Sequence, residues 1–251
     1  MKQFEDEVEE NFVKFCKSCK DAASATANAL SGRREKYLES YRRLVSLQAW
    51  RVELLERVLS PDSLAFFLEA QNDALTSHVL ARAGVWRSAL KALRSCIENV
   101  MFSMYYKDHP VELQLWHDGS HKLNYSELAA YFAAHPAFVG VPPQRSGLDR
   151  LTAEFSTLSR AVHGSAKSFR MSIEGIGVQL WSDEAAKLGA WATREQQVLT
   201  GVNRLLMTLY RDQLQGAQHP SVRKAISLVV PDDKQAEVKR DFGITLFKRT
   251  R

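Results

Sequence analysis

Two groups of residues in this 251-residue chain combine side-chain types and spacings suited to chemistry. In the first, Arg87, Lys91, Arg94, Glu98 and Tyr105 recur along WRSALKALRSCIENVMFSMYYK on a band beside an apolar stripe. Arg94 and Glu98, four apart, fit two roles: an ordinary ion pair on a helix surface, or a pair in a cleft that binds or orients a ligand. In the second group, Thr152, Ser156, Ser159 and His163 step four, three and four along one edge of another helix. That spacing lines up hydroxyls and an imidazole where they are partly shielded from water. His163 ends its helix at the negative pole of the macrodipole, where a cation is favoured, and Arg160 stands one turn earlier. A proton-moving histidine beside a charge-stabilising arginine suits phosphate chemistry, although a histidine that merely caps carbonyls has the same position. The two groups are expected to face each other, with Ser159 and its neighbours against the Arg94/Glu98 band.

The elements that must hold these groups are helices. Trp86, Leu90, Leu93, Ile97, Met101 and Met104 form one apolar stripe over about six turns, flanked by the small residues Ala89, Cys96 and Ser103, so this helix is central and closely approached by another. Leu148, Leu151, Phe155, Leu158 and Val162 make a second stripe, closed by Gly164. Trp191, Val198, Val202, Leu205, Leu206 and Leu209 make a third, on a helix begun at Ser182 and Glu184. Upstream, Phe4, Val8, Phe12, Phe15 and Cys19 mark one amphipathic helix. Tyr37, Tyr41, Leu44, Leu47, Val52, Leu55 and Val58 mark another, with a break at Ser31-Gly32.

The spacing therefore predicts an all-α helical bundle over residues 60–217, entered through an N-cap at Ser60 with Pro61 in the first turn. Residues 1–59 are expected to form an N-terminal helical arm or hairpin that needs a partner surface: its own two helices, the following domain or a second copy of the protein. Residues 218–251 are expected to form a basic C-terminal segment with a docking patch at Ile244, Leu246 and Phe247. One small β-hairpin is expected between residues 168 and 182, where Phe169, Met171 and Ile173 alternate with polar residues.

Composition excludes more than it assigns. The chain is 45% hydrophobic and 25% charged, ordinary for a globular protein, with 34 Lys and Arg against 29 Asp and Glu. Its basic end suits an anionic partner such as nucleic acid, and equally a solvated tail. No run reaches the ~18 apolar residues of a membrane span, and the acidic start lacks a signal peptide's apolar core, so the expected location is cytoplasmic and away from membranes. Three cysteines make no disulfide framework, and the Cys16/Cys19 pair has no second ligand pair. His109, His117 and His121 read as a solvated loop. No metal and no cofactor are expected, and phosphate-loop, serine-elbow and zinc-protease motifs are absent from the sequence.

Taken together, AGVWRSALKALRSCIENVMFSMYYKD on one long helix and LSRAVHG at the end of another resemble the HEPN superfamily over about residues 60 to 165. The resemblance implies a helical bundle, commonly dimeric, found in bacterial defence and toxin–antitoxin systems. It also implies either a metal-independent endoribonuclease acting on RNA or a non-catalytic partner, sensor or nucleic-acid-binding module, as a homodimer or in a complex with a genomic neighbour. Catalytic members place four to six residues between an arginine and a histidine. Here Arg160 and His163 have two between them, so the resemblance carries over to His163, with Arg160, Arg94 or Arg150 as the arginine that would supply the charge in an active site, or with the site inactive. Glu98, Ser159 and Tyr105 are the remaining expected binding residues.

Overall fold

The computed structural model describes residues 1–163, 169–173 and 177–248. These form a helical bundle. In chain order the helices are α1 (Lys2–Ser31), α2 (Arg34–Trp50), α3 (Glu56–Val58), α4 (Pro61–Arg82), α5 (Trp86–Asp108), α6 (Pro110–His117) and α7 (Tyr125–Ala134). They are followed by α8 (Pro143–Ser146), α9 (Leu148–His163), α10 (Ala185–Leu209), α11 (Arg211–Leu214), α12 (Pro220–Val229) and α13 (Gln235–Phe242). A π-helical turn, Arg51–Leu55, joins α2 to α3. Ser172–Ile173 (β1) pairs antiparallel with Gly177–Val178 (β2). The turn expected between them, like the expected helix stop at Gly164, lies outside the described residues.

Central position falls to α5, as its stripe requires: Trp86, Leu90, Leu93, Ile97, Met101 and Met104 are all buried. At about 1.5–3 kcal/mol for each large apolar side chain removed from water, this one face is a major contributor to the core. Its small-residue row, Ala89, Cys96 and Ser103, is completely buried, and α4 lies along α5. The two run antiparallel, because the Ser103 hydroxyl donates to the Ser63 carbonyl at 2.7 Å while Asn99 donates to Asp73 at 2.8 Å. The turn between them is a sharp reversal at Gly84, whose φ of +74° and lack of a Cβ let Ser182 approach within what would be 2.6 Å of one. The start signal at Ser60 also acts as the sequence predicts. The Ser60 hydroxyl accepts from the Ser63 amide, and Asn124 with Glu127 closes a complete capping box on α7.

Two expectations need correction. The arm expected over residues 1–59 is divided, since α2 packs against α4, α10 and α12 with Leu47 and Trp50 fully buried, leaving only α1 largely uncovered. The inward face of α2 is Tyr37, Ser40, Arg43, Ser46, Leu47 and Trp50, whereas Tyr41, Val52 and Val58 face outward. An apolar-only reading of the period found Tyr37, Leu47 and Leu55, which are buried, and Leu44, which packs against the core, but it missed Ser40, Arg43 and Ser46 because polar residues occupy half of the buried face. The C-terminal docking patch is also largely seated: Ile244 and Leu246 are buried, and the Ser227 hydroxyl, which donates to the Arg223 carbonyl, accepts from the Phe247 amide at 2.9 Å.

Candidate functional site

Helices α5, α9 and α10 pack on one another and bring the two predicted groups together. The register is set at the start of α9, where Gly147 (φ +87°) abuts the backbone of Gly201 on α10; a Cβ at Gly147 would lie 2.5 Å from that carbonyl. With α9 so placed, Arg94 Nε donates to Ser159 Oγ at 3.1 Å and Nη1 to Glu98 Oε2 at 2.8 Å. The Arg94 guanidinium also lies 4.5 Å from the centroid of the Phe155 ring, whose other neighbour, Tyr125, stacks on it at 3.7 Å. Tyr125 in turn meets Thr152 through its hydroxyl at 3.2 Å. Burial pushes the Glu98 carboxyl upward and Arg94 opposes that shift. The polar edge of α9 is thus docked on the band of α5, and its ion pair is half-buried.

One turn further along, Arg87 donates to the Ala161 and Val162 carbonyls at 3.1 and 2.8 Å, capping α9 with a cation from α5. His163, the residue expected to cap or to react, is exposed at that end, and no hydrogen bond ties it to Arg94, Glu98 or Ser159 among the described residues. Arg160 is exposed on the same last turn and reaches Thr157 Oγ1 at 3.4 Å. Arg150 sits thirteen residues back along α9, about 20 Å from His163 at the helical rise, so it does not replace Arg160 there. Tyr105 belongs to a different neighbourhood. It is buried, stacks on His109 with centroids 4.0 Å apart, and meets Tyr131 edge-on at 5.0 Å.

A second polar cluster went unpredicted and is far more enclosed. Glu195 on α10 is completely buried, as are Ser40 on α2 and Ser77 on α4. Arg43 reaches Glu195 Oε2 from Nε at 2.7 Å and from Nη2 at 2.6 Å, and Ser40 Oγ donates to Oε1 at 3.0 Å. Ser40 Oγ is also 2.9 Å from His78 Nδ1. Desolvation raises the Glu195 carboxyl to about 7 against the pull of Arg43, and desolvation with the charges of Arg82 and Arg43 lowers His78 to about 4. Because Ser40 donates its hydroxyl proton to Glu195, the neutral imidazole donates from Nδ1 to Ser40 and keeps Nε2 as an acceptor. The sequence did carry a signal: Glu195 interrupts an apolar stripe, four after Trp191 and three before Val198.

Among the described residues no group of three His, Cys, Asp or Glu side chains is arranged to hold a metal ion, and no helix is long and apolar enough to cross a membrane. Searches against family models, curated proteins and solved structures match nothing.

Proposed function

We propose that this chain is a non-catalytic helical partner module, of the kind the HEPN resemblance implies for a bacterial defence or toxin–antitoxin system, and that it assembles through α1. The observation carrying this reading is the row Phe4, Val8, Phe12 and Phe15, each at least half exposed on a 30-residue helix about 45 Å long. Scattered exposed apolar residues are ordinary, but four large ones aligned on one helical face mark an association surface. The occupant is a second copy. Glu5, Asp6, Glu7, Glu9 and Glu10 precede Lys14, Lys17 and Lys20, so two antiparallel α1 helices crossing near Phe12 set each acidic half against a basic half. The same crossing places Val8 opposite Phe15 and Phe4 opposite Cys19.

The engagement of Arg94 with Glu98, Ser159 and Phe155 supports a structural rather than catalytic role for that arginine. A ribonuclease centred on His163 has one observation in its favour, the joint exposure of His163 and Arg160 on the last turn of α9. Light scattering on the full chain tests the preferred reading. A dimer that Phe12→Glu converts to a folded monomer is expected; a monomeric wild type, or a dimer indifferent to Phe12→Glu, overturns it.

A further inference from the structure

A cleft of about 510 Å³ opens between the α1/α2 corner and the last turns of α4, lined by Leu30, Arg34, Tyr37, Tyr41, His78 and Arg82 among others. We propose that this cleft is a binding site for a nucleoside monophosphate, taken free or as the 5′-phosphorylated end of a strand, with the phosphate on Arg82 and Arg34 and the base against Tyr41. Neither the α9 site nor the α1 row contributes to this argument.

The cleft has a charged end and an aromatic wall. Arg82 is exposed and makes no ion pair among the described residues, and its charge acts on both His78, more strongly than that of Arg43, and Tyr37. Arg34 stands at the first turn of α2, and among the described residues it pairs with the adjoining and equally exposed Glu35 at 3.2 Å. Because His78 is held neutral, the positive charge at the cleft comes from arginines, whose planar forks match phosphate oxygens. On the wall, Tyr41 is 56% exposed, with its ring centroid 6.3 Å from that of His78. Leu30, Leu38 and Val79 supply apolar lining beside it. A flat ring gains from such a surface, and base–aromatic stacking is a general mode of nucleotide capture.

Behind the wall the polar groups are fixed in advance. Tyr37 is tied through its hydroxyl to the Ala81 carbonyl at 3.3 Å. His78 is tied through Nδ1 to Ser40, and Ser40 to the buried Arg43–Glu195 pair. This relay sets the tautomer, leaving Nε2 as an acceptor without a partner among the described residues, suited to a ribose hydroxyl or an exocyclic amine. An ion pair buried at this depth is an expensive way to stabilise a helix contact, and orienting a ring that lines a cleft gives it a further role.

Calorimetric titration of the full-length protein with each of the four ribonucleoside monophosphates tests the site, with inorganic phosphate and adenosine titrated separately. Binding of at least one monophosphate more tightly than either fragment is expected, at least tenfold weaker in Arg82→Gln and severalfold weaker in Tyr41→Ala. Both side chains are exposed, so circular dichroism of the variants should match the wild type, and Arg34→Gln provides a second charge variant should either misfold. A 5′-phosphorylated oligonucleotide that competes, when its 5′-hydroxyl twin does not, assigns the strand end as the source. Competition by neither assigns the free nucleotide. No binding at millimolar monophosphate, binding of phosphate or adenosine as tight as the nucleotide, or binding unchanged in the variants overturns the proposal.

Discussion

Two arginine–glutamate pairs in this molecule look alike chemically and differ in almost everything else. Arg94 and Glu98 lie four residues apart on one helix with about a quarter of each side chain exposed, whereas Arg43 and Glu195 come from helices 152 residues apart and are nearly excluded from water. The first pair keeps partial hydration, so forming or losing it changes little; its setting is improved by Ser159 and the face of Phe155. In the second, each charge has given up its water and depends on the other, with Ser40 satisfying part of what remains. The difference teaches that the strength of an ion pair and the cost of breaking it are separate quantities: removing one partner exposes desolvation that the pair had offset.

The sharpest way to break the comparison is to remove one partner from each pair. Glu195→Ala should lose about 3–5 kcal/mol of stability in urea unfolding, because it leaves the Arg43 charge buried and uncompensated, and Arg43→Ala should lose less, because Glu195, already raised to about 7, neutralises by holding a proton. Replacing both residues together, by Met at 43 and Leu at 195, should recover most of the Glu195→Ala loss, since well-packed apolar side chains remove both desolvation terms. If Glu195→Ala and the double variant are equally unstable, the pair is worth more than its desolvation, and the contrast with Arg94–Glu98 fails.

The buried cluster also predicts an opposed pH response. His78 has its folded value lowered to about 4, so between pH 6.5 and 4 the unfolded chain binds the proton first and stability falls on acidification. Glu195 has its folded value raised to about 7, so between pH 7 and 4.5 the folded chain holds the proton first and stability rises on acidification. Over pH 6.5 to 4.5 the two contributions are of similar size and opposite sign. His78→Asn removes the first and should leave a protein that gains about 2–3 kcal/mol on acidification across that window, relative to the wild-type profile. Parallel profiles for the two proteins would show that His78 is not held neutral by its surroundings.

The unequal visibility of the two pairs in the sequence has a physical cause. Residues on one helix share its period, so the α5 stripe, its small-residue edge and the Arg94–Glu98 band were all readable. The docking of Ser159 on Arg94 was readable too, because two polar lines beside two apolar stripes meet when the stripes pack. Glu195 was visible as an anomaly within a stripe, but its partner Arg43 was not, since nothing local links α2 to α10. The face of α2 was read only in part, through Tyr37, Leu44 and Leu47, because Ser40, Arg43 and Ser46 are buried by pairing rather than by hydrophobicity. Ile244 and Leu246 were misread because two apolar residues in an irregular segment have no period to betray the core they join.

The smallest expected effects lie at the end of the comparison that the sequence favoured. Arg94→Ala should lose about 1–2 kcal/mol: an i,i+4 pair of a few tenths, a cation–π contact of about 0.5–1, and the bond to Ser159. His163→Ala should stay within about 0.5 kcal/mol of the wild type, because the side chain is exposed and Arg87, not His163, holds the last carbonyls of α9. That near-silence makes the variant a clean test of chemistry. A protein folded as well as the wild type can lose RNA cleavage only through the missing imidazole, and a positioned acid or base is worth about two to four orders of magnitude in rate. Purified tRNA incubated without added metal should remain intact with both proteins if the chain is a partner module. Cleavage by the wild type that falls by that factor in His163→Ala would instead return the charge-stabilising role to an arginine near the end of α9. In that case Arg160→Ala, rather than Arg94→Ala, should abolish activity at little cost in stability, since Arg94 is already held by Glu98, Ser159 and Phe155.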